Sequence, residues 1–418
     1  MARDLFVATW DKAASGPWVA RHGLTSADYQ RTFEDLAHQG YRLRTISGYD
    51  RGGQATYAAI WDKRAGGEWV ARHGLTSAQY QQAFNQFVSQ GFRLRLVNGY
   101  SVAGQERYAA LWEKAAGPAW AARHGLTSAQ YQAAFDQFVG QGYRLMWVSV
   151  YGVGGQDRYA AIWEKSAGPA WVARHHQSEA AFRATCKDLA GQGYELVCAG
   201  AAAVGGKDLY AGLWQKSSVA SVSHHGMTAG TYQLKFEQLT GQGYAPKFVV
   251  GWAGVDPVDA VLRFTMQKQT QSNWCWAATS TSISKYYHAN STWTQCKVAN
   301  AQLGRSDCCT STGASGPCNV YGYLDKALQS VGCFASMSSG SKSWSTIEAE
   351  ILKGRPLGIR VAWSGGGAHF IAATGTEDNS LVWVSDCGSG TTSLVDYNTL
   401  KNSYRGSGSW THSYFTQP

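Results

Sequence analysis

The residues best suited to chemistry lie in the last third of the chain. Cys275 opens a helical pattern, and Gln269 precedes it by six positions. At a helix N-terminus the macrodipole favours the thiolate form of a cysteine, and the amide of Gln269 could donate a hydrogen bond to an oxyanion. His369 follows three glycines, and Asp386 ends a later short segment. This order predicts a thiol amidohydrolase in which histidine transfers the proton and aspartate orients the histidine.

A helix must hold the nucleophile. The pattern predicts one from Asn273 as N-cap to about Tyr287, with Cys275 in its first turn. Free backbone N–H groups of a first turn point out of the helix end, where a reacting carbonyl would lie. A structural buried cysteine is the competing interpretation of Cys275 taken alone, but its combination with the other three residues favours catalysis.

The histidine and the aspartate are predicted to share a β-hairpin. Strands over residues 369–374 and 381–386 place Thr374 opposite Leu381, and therefore His369 opposite Asp386. Directly paired residues lie on one face of a sheet with β-carbons about 5 Å apart. A slip of one residue would move one side chain to the other face, so the prediction depends on the register.

The first 266 residues form a tandem array of five units with a period of 51 residues. Each unit shows a helical pattern after a Thr or Ser cap, a glycine that ends it, and two alternating segments typical of a β-hairpin. Stacked units would form one antiparallel sheet covered by helices, so the predicted fold class is α+β. The period is marked by Trp10, Trp61, Trp112, Trp163 and Trp214, and by His22, His73, His124 and His175.

Two features of the repeats raise the question of a ligand. The histidines are spread along the array, so a role in closing the turn before each helix is favoured over a metal site. Arg42, Arg93 and Arg144, with Arg44 and Arg95 two positions on, alternate with other residues and are predicted to line the sheet face opposite the helices. Such a basic, tyrosine-bearing face could bind a surface, an anionic ligand or a glycan, or could simply be solvated.

Composition and charge limit the function classes. The hydrophobic content of 44% is that of a globular protein, and the net charge of +9 is spread without a basic cluster, which disfavours nucleic-acid binding. No apolar run reaches the length of a membrane span. The N-terminus shows no signal-peptide pattern, which by itself suggests a cytosolic chain or a mature one whose export signal has been removed.

The nine cysteines favour export instead. With Cys275 set aside as nucleophile, six remain in the last third, and Cys186 and Cys198 form a separate pair. Parity therefore predicts four disulfides and one free thiol, including a helix-to-strand bridge between Cys186 and Cys198. Reduced core cysteines or a zinc site are the alternatives, and irregular spacing without a C-x-x-C pair disfavours zinc.

Residues 267–418 resemble the papain-like cysteine proteases, in the branch of the bacterial type III effector protease and the bacteriocin-leader-processing peptidases. The motifs that carry the resemblance are Gln269, Asn273–Ala278, Gly366–Phe370 and Val384–Asp386. It implies no metal or organic cofactor, and it implies Cys275 as nucleophile, His369 as general base and acid, Asp386 as orienting residue and Gln269 as oxyanion donor. Many relatives have proline after the aspartate; this chain has Cys387, for which a loop-pinning disulfide is one expectation.

Residues 1–266 resemble the tandem-repeat module found beside secreted hydrolase domains of bacteria and fungi, polyglycine hydrolases among them. The expected organisation is a binding or targeting module over residues 1–266 and a papain-like protease domain over residues 267–418. The leading hypothesis is a secreted cysteine endopeptidase that acts on protein or peptide substrates. A cysteine amidase on cell-wall peptides, or a transglutaminase-like acyl transferase, is the first alternative. A binding protein with a vestigial protease domain is the second.

Overall fold

The computed structural model describes residues 3–13, 16–255, 259–378 and 380–418. The chain divides into two compact units, residues 1–257 and residues 258–418. The predicted domain boundary, after residue 266, lies a little beyond this division and stays a prediction. None of the helices in the described ranges is long and apolar enough to cross a membrane.

The N-terminal unit alternates short strands with helices of equal length. Each helix follows a Thr or Ser whose side-chain oxygen accepts a backbone N–H of the first turn, as predicted. Its elements are β1 (Arg3–Asp11), β2 (Trp18–Thr25), α1 (Ser26–His38), β3 (Arg42–Arg51), β4 (Gln54–Asp62), β5 (Trp69–Leu75), α2 (Ser77–Ser89), β6 (Phe92–Val102), β7 (Gln105–Lys114), β8 (Trp120–Leu126), α3 (Ser128–Gly140), β9 (Arg144–Val153), β10 (Gln156–Glu164), β11 (Trp171–Ser178), α4 (Glu179–Gly191), β12 (Tyr194–Val204), β13 (Lys207–Lys216), β14 (Ser221–Thr228), α5 (Ala229–Gly241) and β15 (Ala245–Gly254).

Each repeat contributes one helix and a small antiparallel sheet, which confirms the α+β class and the repeat array. The sheets have three strands instead of the predicted two, because the segment before each helix, such as β8, is also extended. They are five separate sheets, ordered β2-β4-β3, β5-β7-β6, β8-β10-β9, β11-β13-β12 and β14-β1-β15. The expectation of one continuous sheet is therefore wrong: the strands of neighbouring repeats pack side by side through side chains.

The array closes into a ring, and the N-terminal strand closes it. Strand β1 lies between β14 and β15 of the last repeat, where Leu5 pairs with both Thr228 and Trp252. The strands β3, β6, β9, β12 and β15 follow one another around the ring, and β15 also packs against β3. Trp10 thus occupies the tryptophan position of the fifth sheet, fully buried like its four equivalents.

Glycines allow these inner strands to approach one another. A Cβ on Gly48 would lie 2.6 Å from the ring of Tyr100 in the next repeat, and one on Gly99 would lie 2.2 Å from Tyr151. The same contact joins the last repeat to the first, where a Cβ on Gly251 would lie 2.7 Å from the ring of Tyr49. Ring closure therefore reuses the contact that joins the repeats within the array.

The repeated arginines and histidines also join neighbouring repeats. Arg42 pairs with Glu113 at 3.3 Å and Arg93 with Glu164 at 2.9 Å, each across a repeat boundary. Arg42, Arg93 and Arg144 are largely buried, so for these three the predicted solvated face is wrong, whereas the side chains of Arg44 and Arg95 are 30% and 38% exposed. His73 packs edge-on against Tyr29 of the preceding helix with ring centroids 4.7 Å apart, which agrees with a structural role for the histidines.

The C-terminal unit packs helices beside a seven-stranded sheet ordered β17-β22-β18-β19-β20-β21, with β16 paired to β19. One buried cluster lies around α6 and a second lies between the sheet and α10. The elements are β16 (Ala260–Val261), α6 (Cys275–Tyr287), α7 (Gln295–Leu303), α8 (Ser311–Ser315), α9 (Leu324–Ser330), β17 (Phe334–Ser339), α10 (Trp344–Leu352), β18 (Leu357–Trp363), β19 (Ala368–Glu377), β20 (Leu381–Asp386), β21 (Thr391–Asp396), α11 (Tyr397–Asn402) and β22 (Gly408–Thr416).

The predicted number of disulfides, four, is wrong. Only two disulfides form, Cys296–Cys309 and Cys308–Cys318. The predicted bridge between Cys186 and Cys198 is absent, because the Cys198 thiol points to the neighbouring repeat and lies 3.3 Å from the carbonyl oxygen of Val148. The free thiols are Cys186, Cys198, Cys275, Cys333 and Cys387. The even number of remaining cysteines did not predict their pairing, because most of these free thiols are buried and serve as small apolar residues.

We expect Gly251→Ala to destabilise the ring by about 1–3 kcal/mol, because its new methyl group would overlap Tyr49 and Phe6. Gly230→Ala is the matched control, since nothing lies within 4 Å of its Cβ and the residue is in helix α5. Alanine should be neutral or stabilising there. The measurement is the free energy of unfolding in urea; equal effects of the two substitutions would contradict the packing argument.

Candidate active site

Cys275 lies at the start of a buried helix. Helix α6 begins at Cys275 and ends at the predicted Tyr287, but its N-cap is Trp274, with no side-chain cap, and not the predicted Asn273. The side chain of Asn273 instead donates to the backbone oxygen of Asn319 at 2.8 Å, so it anchors a neighbouring loop. Cys275 is 3% exposed. The thiol is therefore held in the first turn of the helix, where backbone N–H groups have no partner within the helix.

The predicted hairpin of His369 and Asp386 forms with a different register. Asp386 lies directly opposite Ile371, and the turn is shorter than expected because Glu377 pairs with Leu381. His369 is two positions before Ile371, so its side chain shares the face of Asp386 and reaches it diagonally. His369 Nε2 lies 2.7 Å from Asp386 Oδ1. The prediction of direct pairing is wrong, while the predicted contact is present.

A β-bulge at Thr374 makes this contact possible. Ala373 pairs with Val384 and Gly375 with Trp383, so Thr374 is left without an opposite residue. If Thr374 were paired, each earlier residue would shift by one and Asp386 would face Ala372, on the other side of the sheet from His369. The bulge is held on both sides: its carbonyl oxygen accepts the Leu262 N–H at 2.8 Å, and its hydroxyl lies 3.0 Å from that of Ser385.

The carboxylate of Asp386 has partners on both oxygens. Oδ1 accepts from His369 and from the Gly388 N–H at 2.8 Å. Oδ2 accepts from the Tyr404 hydroxyl at 2.7 Å and forms an ion pair with Arg405 Nη2 at 2.9 Å. The sequence interpretation missed Tyr404 and Arg405, since they follow helix α11 in a turn that carries no spacing motif. Only the fold brings this turn to the aspartate.

The imidazole and the carboxylate stabilise each other's charged forms. Burial lowers the pKa of His369, but its hydrogen bonds, the one with Asp386 first, outweigh burial and raise the pKa above its ordinary value. Burial raises the pKa of Asp386, but the hydrogen bond and charge of His369 outweigh it and lower the pKa. Cys275 is close enough to His369 to contribute to this rise. The imidazolium and the carboxylate therefore stabilise each other beside the Cys275 thiol.

A tryptophan covers the pair. The Trp363 ring stacks over His369 with centroids 6.4 Å apart and an interplanar angle of 22°. It also stacks over Tyr404 at 6.4 Å and 24°. Trp363 thereby limits the access of water to the His369–Asp386 hydrogen bond and strengthens it.

The side-chain amide of Gln269 is engaged in the turn that precedes Cys275. Nε2 donates to the backbone oxygens of Gln271 at 3.0 Å and Ser272 at 2.7 Å. Its backbone N–H donates to Cys387 at 2.8 Å. Both amide hydrogens thus have acceptors in the turn before α6, and an oxyanion would have to compete for one of them.

Cys387 is a second thiol at the site and forms no disulfide, so the expected pinning bridge is absent. Its Sγ lies 4.0 Å from His369 Nε2 and 3.7 Å from Gln269 Oε1. It is fully buried, and burial raises the pKa of its thiol. Of the two thiols, Cys387 is therefore the one suited to packing under the site.

Some of the same groups have the chemistry of metal ligands. The ligand atoms of His369, Asp386 and Cys387 lie within 4.8 Å of one another, and this donor set is one that zinc accepts. However, His369 Nε2 and Asp386 Oδ1 are joined by a direct 2.7 Å hydrogen bond, so an ion would have to break it. The arrangement fits proton transfer better than metal binding.

Comparison with protein-family models gives a match for each unit. Residues 15–64, 66–115, 117–166, 168–217 and 218–265, together more than half of the chain, match the polyglycine hydrolase-like structural repeat. Residues 259–401 match the papain-like cysteine protease AvrRpt2 family. The chain belongs to the polyglycine hydrolase-like repeat proteins and carries a papain-like cysteine protease domain. The protease domain makes this repeat protein a cysteine peptidase. A comparison with curated proteins gave no significant match.

We expect Asp386→Asn to move the alkaline limit of thiol reactivity to lower pH. The substitution removes the charge that raises the pKa of His369, so the imidazolium is lost earlier as pH rises, by about 1–3 pH units. The measurement is the rate of inactivation by iodoacetate against pH, which falls when the imidazolium that attracts the carboxylate of the reagent is lost. Asp396→Asn, which removes only the cap of α11, is the control and should keep the wild-type profile. An unchanged profile for Asp386→Asn would contradict the argument that Asp386 raises the pKa of His369.

Proposed function

We propose that this repeat protein is a secreted cysteine endopeptidase in which Cys275, His369 and Asp386 form the catalytic triad. The observation that carries the proposal is the 2.7 Å hydrogen bond between His369 and Asp386, with the Cys275 thiol close enough to the imidazole to help raise its pKa. The absence of a membrane-spanning helix among the described residues and the two disulfides are compatible with export. A protease domain implies protein or peptide substrates.

The proposed reaction has two halves: formation of a thioester on Cys275, and hydrolysis of that thioester by water. The Cys275 thiolate attacks the peptide carbonyl carbon, and the oxyanion receives hydrogen bonds from the Cys275 backbone N–H and the Gln269 amide. The His369 imidazolium gives its proton to the leaving amine, and the C–N bond breaks. Neutral His369 then takes a proton from water, which attacks the thioester and releases the carboxylic acid. Asp386 holds the ring in one orientation through both halves.

Two thiols lie beside His369, so the decisive experiment separates them. Cys275→Ala should abolish casein hydrolysis and stoichiometric labelling by the epoxide inhibitor E-64. Cys387→Ala, the matched control, should keep labelling and lose activity only a few-fold, because that thiol is buried. Loss of labelling in the Cys387 variant together with retained labelling in the Cys275 variant would reverse the assignment. No labelling of the wild type would favour a vestigial protease domain.

Gln269 is proposed to release one amide hydrogen to the oxyanion. Gln269→Ala and the isosteric Gln269→Glu should then both lower kcat by about 10²–10³-fold with little change in KM. If Gln269 only holds the turn at residues 271–272, the substitutions will lower the melting temperature and leave kcat nearly unchanged.

The alternatives keep the nucleophile and change the substrate. An amidase on cell-wall peptides or a transglutaminase-like acyl transferase would use the same thioester. Casein hydrolysis, loss of turbidity of a peptidoglycan suspension and incorporation of an amine into casein separate the three activities. The nucleophile should be Cys275 in each case.

The repeat ring is proposed to target the peptidase. The repeated arginines are used in contacts between repeats, so they do not support the predicted anionic or glycan ligand. A cavity of about 720 Å³ remains, lined by equivalent segments of all five repeats that include residues 48–52, 98–101 and 201–203. Its size suits a small ligand. Co-sedimentation of the full chain with insoluble cell walls or glycans would test whether the ring binds such a surface.

A further inference from the structure

Arg405 contacts the site from a strained turn. Its backbone has φ 47°, in the left-handed region that non-glycine residues rarely adopt. The turn is closed by the bridge between Tyr404 and Gly408, and Gly406 follows with φ 89°. In this conformation, Nη2 of Arg405 lies 2.9 Å from Asp386 Oδ2. A strained residue whose charged end meets the aspartate of the site points to a role in that site.

The charge of Arg405 matters because Asp386 already has a cationic partner. The opposite oxygen of the same carboxylate accepts from His369. The side chain of Asp386 is 3% exposed, whereas that of Arg405 is 52% exposed, so the guanidinium stays solvated while it reaches a buried anion. One carboxylate thus serves two cations whenever His369 is protonated. Each cation weakens the hold of the carboxylate on the other.

The other groups around the imidazole do not offset this effect with a fixed charge. Cys275 on α6 is the thiol with which the imidazole pairs. Cys387 is buried with a raised pKa, so it stays neutral near neutral pH. Tyr404 is buried, and burial keeps its pKa well above the ordinary value, so it acts as a neutral donor. Within the described contacts of this carboxylate, Arg405 is therefore the permanent positive charge beside the pair.

We propose that Arg405 is a positioning residue that limits how strongly Asp386 holds the imidazolium of His369, and that it thereby sets the alkaline limit of the reaction. The inference rests on the proposed triad. A permanent positive charge near the carboxylate opposes protonation of the imidazole, so the neutral base that activates water forms at a lower pH than it would without Arg405. The guanidinium also fixes the outer oxygen, so that the inner oxygen faces the histidine.

The test compares Arg405→Gln with Arg405→Lys, measuring kcat/KM on casein peptides and the rate of iodoacetate inactivation across pH. Arg405→Gln should move the alkaline limit of both profiles upward by roughly half a pH unit, because a half-exposed charge is screened. Arg405→Lys retains the charge and should return the limit close to the wild-type value. Lys401→Gln, which removes an exposed charge from the preceding helix, is the control and should leave both profiles in place.

The outcomes separate this inference from the proposed function. An alkaline limit that stays put or moves downward in Arg405→Gln, in a variant that melts like the wild type, overturns the role of Arg405. An equal shift in Lys401→Gln overturns it too, since net charge would then be the cause. If the wild-type chain cleaves no protein substrate, the endopeptidase proposal fails, and the iodoacetate profiles still decide whether Arg405 acts on the thiol–imidazole pair.

Discussion

The hydrogen bond between His369 and Asp386 is the contact on which the C-terminal unit is built, and it depends on one extra residue in a strand. Side chains alternate across a sheet, so a hairpin can bring two residues together only when the count between them has the correct parity. With regular pairing, the number of residues between His369 and Asp386 would place their side chains on opposite faces of the sheet. The unpaired Thr374 of the bulge brings them to the same face. The bulge is in turn fixed by Leu262 and Ser385, neither of which is one of the proposed catalytic residues. The geometry of the site is therefore decided some distance from its chemistry.

Asp386 gathers parts of the chain that are far apart in sequence. The hairpin supplies the carboxylate and the imidazole, helix α6 supplies the thiol, and the turn before β22 supplies Tyr404 and Arg405. Because the carboxylate is buried and accepts on both oxygens, loss of any one donor leaves a charge less well solvated. The site therefore couples the packing of the last strand to the protonation of the histidine, although the two lie on opposite sides of the aspartate.

Local patterns predicted much of this arrangement. The caps of the repeat helices, the end of α6 and the nearness of Cys275, His369 and Asp386 follow from residue types and short spacings. Features that depend on tertiary packing were missed. The strand before each repeat helix, such as Trp120–Leu126, has weak alternation and is extended only because β10 pairs with it. The bulge at Thr374, the turn at Arg405 and the free thiols likewise have no local signature, since the rest of the fold imposes them.

The N-terminal strand β1 has a consequence for how the chain is made. Its partners β14 and β15 lie more than 200 residues later, so the strand emerges from the ribosome long before either of them exists. At about 5–20 residues per second, the delay is on the order of 10–50 s. During that time the apolar segment Leu5–Ala8, which is fully buried in the finished ring, must stay in solution without misfolding. The first strand to be synthesised is therefore used only in the last sheet to be completed, β14-β1-β15.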